Sequence, residues 1–213
     1  EDITEQDVLL IQVPNINESG YYAGIVALKS WIDKNEPQFK VAVIDPVIDY
    51  FFLNPPDKQG IFFNLFNTYS KQGQFELLYE HQETFDIVNG FVNRYIEKTN
   101  PKFIGFSVID GNIDATLAIA KLVKQEFPNI KILFGGNGVE CLDFGRLPNA
   151  RYKTQTYDFI DVIVRGDGEI TFTELLKSDW TETSLMQIKG IVWKLNGVWR
   201  KVISEGPGPE AEV

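Results

Sequence analysis

The chain has 213 residues, 44% hydrophobic and 23% charged, a balance that suits one folded core with a small extension and excludes wholesale disorder. Its formal net charge of -10 is offset by no Lys/Arg-rich block, which argues against nucleic acid as a partner because a phosphate backbone would be repelled. No apolar run approaches the roughly 18–20 residues of a membrane span and the N-terminus is acidic, so no membrane partner and a cytoplasmic location are expected, and the lone Cys141 can neither close an internal disulfide nor supply the several thiolates of an iron–sulfur cluster.

The first predicted strand is "VLLIQV" at residues 8–13, followed by the polar loop "NINESG" and a short helix over 21–34. A second strand, "FKVAVID", covers 39–45. Residues 46–101 are too long for a plain crossover. They divide into an aromatic-rich, Pro-punctuated half and a helix in which Ile87, Phe91 and Tyr95, and also Val88, Val92 and Ile96, repeat at i+4. The many Phe and Tyr of this insertion are expected to form core rather than a cofactor box. Next comes "FIGFSVI" at 103–109. The stripe Ile113, Leu117, Ala120, Val123 and Phe127 then predicts a helix stopped by Pro128. "KILFGG" (131–136) and "DVIVRG" (161–166) are the fourth and fifth strands, with a short helix over 170–176. Continuously apolar strands without alternation are covered on both faces, as in a parallel sheet. The alternation with helices predicts an α/β fold, a Rossmann-like (flavodoxin-like) doubly wound parallel five-stranded sheet with helices on both faces. "GIVWKLNGVWRKV" predicts a C-terminal β-hairpin turning at Asn196-Gly197, because both turn residues must take positive φ. "SEGPGPEAEV" has linker composition. The expected organisation is a domain over 1–187 with an insertion at about 46–101, a hairpin extension over 188–203, and a linker or tail over 204–213.

In such a sheet the ligand crevice lies outside the carboxyl ends of the strands, where strand order reverses. Four loops are candidates. After the first strand stand Asn15, Ile16, Asn17, Glu18, Ser19 and Gly20. After the third stand Ser107, Val108, Ile109, Gly111 and Asn112, with Asp110 among them. Gly135, Gly136, Asn137 and Gly138 follow the fourth, and Gly166, Asp167, Gly168 and Glu169 the fifth. Glycine lets a ligand approach the backbone, and Asn, Asp or Ser either caps the next helix or bonds to a polar ligand. Any one such loop is an ordinary strand-to-helix turn; four along one edge point to a large, polar-rimmed ligand.

Sharper signals fail. "GGNGVE" and "GDGEIT" lack the third glycine of G-x-G-x-x-G, and no G-x-x-x-x-G-K-[ST] occurs. Gly105-Phe106-Ser107 begins like a nucleophile elbow, but Ile109 replaces the second glycine. His81, the only histidine, has no partner in sequence for a triad or a metal site, so no catalytic and no metal-ligating residue is expected. Asp110 and Asp114 invite comparison with a phospho-receiver pocket, whose acids belong after the first strand, where this chain has Asn15 and Asn17.

The succession "VLLIQVP", "KVAVID", "FIGFSV", "KILFGGNG", "VIVRGDGEITFTELL" and "IKGIVWKLNGVW" resembles the N-terminal cobalamin-binding domain of radical S-adenosylmethionine (radical SAM) enzymes. The resemblance runs from about residue 7 to 202. "RGDGE" followed by "ELL", and the "I-x-G-I-x-W…NG" hairpin, are its most specific parts. Cobalamin carriers such as methionine synthase share D-x-H-x-x-G after the first strand, S-x-L after the third and Gly-Gly after the fourth. Here the spacing reads Asn15-x-Asn17-x-x-Gly20, Ser107-x-Ile109 and Gly135-Gly136. Asn17 stands where those carriers place the cobalt-binding histidine, and a carboxamide is a poor cobalt ligand. The resemblance implies a non-catalytic, cobalamin-binding module of a methyltransferase-like radical SAM enzyme, holding the corrinoid without a histidine ligand. In it Gly20 admits the nucleotide tail and Ser107 bonds to the dimethylbenzimidazole. The alternative it leaves open is a scaffold of the same fold that binds no cobalamin. S-adenosylmethionine and the [4Fe–4S] cluster, which needs C-x-x-x-C-x-x-C, are implied only for an adjoining radical SAM barrel expected downstream in the same full-length chain.

Overall fold

The computed structural model describes residues 5–13, 23–44, 82–142, 152 and 156–201. In chain order the elements are β1 (Val8–Gln12), α1 (Ala23–Asn35), β2 (Val41–Ile44), α2 (Gln82–Thr99), β3 (Phe103–Ser107), α3 (Ile113–Glu126), β4 (Lys131–Gly135), β5 (Val162–Val164), α4 (Gly168–Lys177), α5 (Glu182–Leu185), β6 (Ile191–Leu195) and β7 (Val198–Lys201). Short 3-10 turns at Asp110–Asn112 and Asn137–Cys141 follow β3 and β4.

The strands form one sheet in the order β2-β1-β3-β4-β5-β6-β7. The first five pair in parallel, in the expected doubly wound order. The hairpin widens this sheet: β6 lies antiparallel on β5, pairing Val162 with Trp193, and β7 lies antiparallel on β6. Its turn is the one expected, with Asn196 at φ 49° and Gly197 at φ 78°. Before β6 the chain returns to the carboxyl edge through Gly190 (φ 77°), whose carbonyl accepts the Arg165 N–H at 2.8 Å. Because β6 starts at that edge, it must run antiparallel to β5.

All five residues of β1 are buried, as are all three of β5. Alternation sends their side chains to opposite faces. Leu9, Ile11, Ile104, Phe106, Ile132 and Phe134 share one core with Val92 and Ile96 of α2 and Leu117, Ala120 and Val123 of α3. Val8, Leu10, Phe103, Leu133 and Val164 share the other with Ile25 and Ile32 of α1 and Phe172 and Leu175 of α4. The expected α3 stripe is buried, with Phe127 packed half-buried against it. Of region 46–101 the structure describes α2 onward. The aromatic half and His81 lie outside the described residues.

Two polar clamps set the ends of the sheet. At the lower edge the Asp161 carboxylate accepts both the Lys124 ammonium and the Ile132 N–H at 2.8 Å, holding β4 and β5 to α3. At the carboxyl edge Asn112 occupies the N-cap of α3, yet its side chain does not cap that helix. Its Nδ2 donates to Val13 O (3.0 Å) and Ser107 O (3.1 Å), and its Oδ1 accepts the Ile109 N–H at 2.9 Å. The residue is fully buried and its bond to Val13 O is buried with it, so the amide ties the exits of β1 and β3 together.

Asn112→Ala removes these bonds from one buried and two half-buried backbone groups, at a cost of about 2 kcal/mol in urea unfolding; a loss below about 0.5 kcal/mol would refute the clamp. At Gly190 a Cβ would stand 3.1 Å from Arg165 O on a positive-φ backbone. Gly190→Ala is therefore expected to cost about 1 kcal/mol or more in the same assay.

Candidate functional site

A groove of about 220 Å³ opens at the carboxyl edge, between α1 and α4, on the sheet face that carries Leu10 and Leu133. It lies where strand order reverses, since β1 has β2 on one side and β3 on the other. Its floor is one row of the sheet, in which Leu10 pairs with Gly105 and Gly105 with Leu133. A Cβ on Gly105 would meet Leu10 Cδ2 at 2.9 Å and the Phe172 ring at 3.1 Å, so glycine at this mid-strand position lets α4 settle onto the sheet. Ile25 and Leu28 of α1, Val164 of β5 and Phe172 of α4 form the walls.

Both wall helices start at the carboxyl edge, each with a glycine in its first turn that lines the groove. A Cβ on Gly24 or on Gly168 would find nothing within 4 Å. Among the described residues no side chain fills the space beside these two glycines at the mouth. Far from the mouth Lys177, near the end of α4, meets Glu36, just past α1, at 2.5 Å and holds that carboxyl below the usual carboxylate range. Ser107, Asn137, Asp167 and Glu169 stand at the rim. Among the described lining residues there are two carboxylates and no Lys or Arg, so an anionic group at this rim would bond to N–H and O–H groups of the loops and helix starts rather than to a cationic side chain.

The rim loops are held to one another. Val108 N–H donates to Gly135 O (2.7 Å) and Gly138 N–H to Val108 O (2.9 Å), joining the turns after β3 and β4. This contact requires two glycines. A Cβ on Gly136 (φ 95°) would stand 2.6 Å from Val108 O, and one on Gly138 would stand 2.6 Å from the Ile109 backbone. Arg165 closes the other side: its Nε donates to Glu140 Oε1 at 2.8 Å and its Nη2 bonds Oε2, a bidentate pair between the loops after β4 and β5.

The residues singled out from sequence thus separate. Ser107, Gly135, Gly136 and Asn137 line the groove, as do Gly166, Asp167, Gly168 and Glu169. Val108 is core. Asn112 and Gly138 shape the edge from behind, and Ile109 and Gly111 stay outside the groove lining. Residues 15–20 lie outside the described residues. Sequence reasoning missed the floor and walls. One signal was present, since an isolated glycine within a strand, Gly105, marks a close approach. Among the described residues no three of His, Cys, Asp and Glu gather as a metal site would require, and no helix is long and apolar enough to cross a membrane.

Residues 88–176 match the B12 binding domain family. The chain is 27% identical over 124 residues to an uncharacterized methyltransferase of Pyrococcus horikoshii, covering 58% of this chain and 25% of that protein. It is 28% identical over 113 residues to the cobalamin-dependent radical SAM methyltransferase TokK of Streptomyces tokunonensis, covering 53% and 16%. Structures of the radical S-adenosylmethionine methyltransferase TsrM from Kitasatospora setae share the fold at 15% identity. One, with tryptophan substrate and a SAM analog, has a TM-score of 0.59, and one with cobalamin and a [4Fe-4S] cluster has 0.57. They cover 94% and 92% of this chain, which spans 31% of theirs. The chain spans a quarter or less of the curated relatives it matches. With a B12 binding domain match on a Rossmann-like sheet, the chain resembles the cobalamin-binding domain of cobalamin-dependent radical SAM enzymes.

Proposed function

We propose that this chain is a cobalamin-binding module, with the groove between α1 and α4 receiving the base and nucleotide tail of the cofactor and the loops at the carboxyl edge supporting the corrin. The observation that carries this reading is a groove at the strand-order switch whose mouth is kept open by Gly24 and Gly168. The fit is chemical as well as steric. A flat, methylated bicyclic base suits the hydrocarbon floor of Leu10 and Leu133, and hydroxyl and amide groups of the tail and corrin suit the rim of Ser107, Asn137, Asp167 and Glu169. Cobalamin, when bound, supplies methyl-carrier chemistry. The residues here bind, orient and exclude water, and none of them is assigned a catalytic role.

The rest of the reading rests on the sequence and on the relatives. Asn17 replaces a histidine ligand, so the cobalt is held without a protein imidazole beneath it. Residues 1–187, with the insertion at 46–101, form the binding domain, and the hairpin over 188–203 and the tail over 204–213 lead on to a radical SAM barrel. That barrel holds S-adenosylmethionine and the [4Fe-4S] cluster, and the whole enzyme transfers a methyl group in the cytoplasm.

Titrating the chain with hydroxocobalamin while following its visible spectrum is expected to show one equivalent bound. At a hundredfold the dissociation constant the ligand should add about 2.7 kcal/mol of stability; no spectral or thermal change would overturn the reading in favour of a scaffold without cofactor. Gly24→Leu is expected to weaken binding at least about tenfold by filling the mouth. It should leave the unliganded protein no less stable, because leucine has the higher helix propensity. Asn17→His is expected to shift the bound spectrum toward histidine-ligated cobalt, and an unchanged spectrum would place residue 17 away from the metal.

A further inference from the structure

We propose that the groove selects among corrinoids by their lower base, accepting dimethylbenzimidazole and rejecting adenine. This rests on the reading that the tail enters the groove, and adds to it the discrimination between bases.

The argument comes from the order in which polar and apolar groups line the groove. Along β3 and β4 the edge row is Ser107 paired with Gly135, and two residues deeper the row is Gly105 paired with Leu133. The polar side chains that line the groove, Ser107, Asn137, Asp167 and Glu169, belong to the last residue of a strand or to the segments just beyond the strand ends. Val164, level with Gly135, adds an apolar side chain to the edge row; the deeper lining is Leu10, Ile25, Leu28, Leu133 and Phe172, whose side chains offer no hydrogen bond. Gly105 adds no side chain, and its strand is laddered on both sides by β1 and β4. Among the described residues, the side chains that a base meets at this depth are hydrocarbon.

Dimethylbenzimidazole presents a benzo ring and two methyl groups to such a surface. Adenine has nitrogens in place of two benzo-ring carbons and an exocyclic amine in place of a ring hydrogen, lacks the methyl groups, and each of those polar groups would leave water without a partner. A hydrophobic pocket rejects such a polar near-isostere by about 10–100-fold.

The test is a competition titration of the chain with three corrinoids: hydroxocobalamin, the cobamide that carries adenine in place of dimethylbenzimidazole, and cobinamide, which lacks the base and its ribose phosphate. The expected result is tightest binding for hydroxocobalamin, with the adenine cobamide about 10–100-fold weaker and cobinamide also weaker. Equal or tighter binding of the adenine cobamide overturns the selectivity and leaves the cobalamin reading standing. Cobinamide binding as tightly as cobalamin overturns it as well, because the groove would then hold no base. Failure of all three to bind removes both the selectivity and the reading beneath it.

Discussion

The carboxyl edge of this protein depends on one buried carboxamide. In a doubly wound sheet the chain leaves β1 for a helix on one face and leaves β3 for a helix on the other, so these two strand exits diverge. Asn112 bonds the carbonyls at both exits, Val13 and Ser107, while its oxygen holds the Ile109 N–H. The Asn112 side chain is buried, so the amide converts a natural opening into a fixed one. The next two exits are held differently. Glycine contacts join the turns after β3 and β4, and the Arg165–Glu140 pair joins those after β4 and β5. The result is a continuous rim made by separate stretches of sequence.

Behind that rim the groove owes its space to what is missing. Interiors of folded proteins are close-packed, yet α1 and α4 each carry a glycine in the first turn and leave room where most residues would project a side chain. Gly105 acts in the opposite sense. It lets Phe172 and Leu10 come together and gives the groove a closed hydrocarbon floor. Glycines of the same composition class thus have three separate effects here: opening the mouth, closing the floor, and, at Gly136 and Gly138, letting two loops touch.

Much of the scaffold was legible from local pattern. The apolar runs of β1, β3 and β4, the stripe of α3 and the Asn196-Gly197 turn all carry short-range signals of the kind that backbone geometry and periodicity impose. Part of the groove lining was legible for the same reason, because turns that follow parallel strands reach the same edge: Ser107, Gly135, Asn137 and Asp167 line the candidate groove. The sequence did not separate groove-lining residues from those that brace the edge. Asn112 and Asn137 both read as polar loop residues, but the first is fully buried and bonded to backbone and the second is exposed at the groove.

What the sequence by itself determined is therefore the main strands and helices, α5 excepted, and the parallel order of the first five strands, because these follow from interactions between residues near in the chain and from the chirality of strand–helix connections. Tertiary structure alone decided where the cavity lies and what lines it. Leu10, Ile25, Gly105, Val164 and Phe172 come from five elements, and nothing in their local sequence distinguishes a side chain that meets a groove from one that meets another side chain. It also decided that the hairpin extends the sheet: the contacts of Arg165 with Gly190 and Glu140 join segments 25 residues apart, and only the folded backbone brings them within hydrogen-bonding distance.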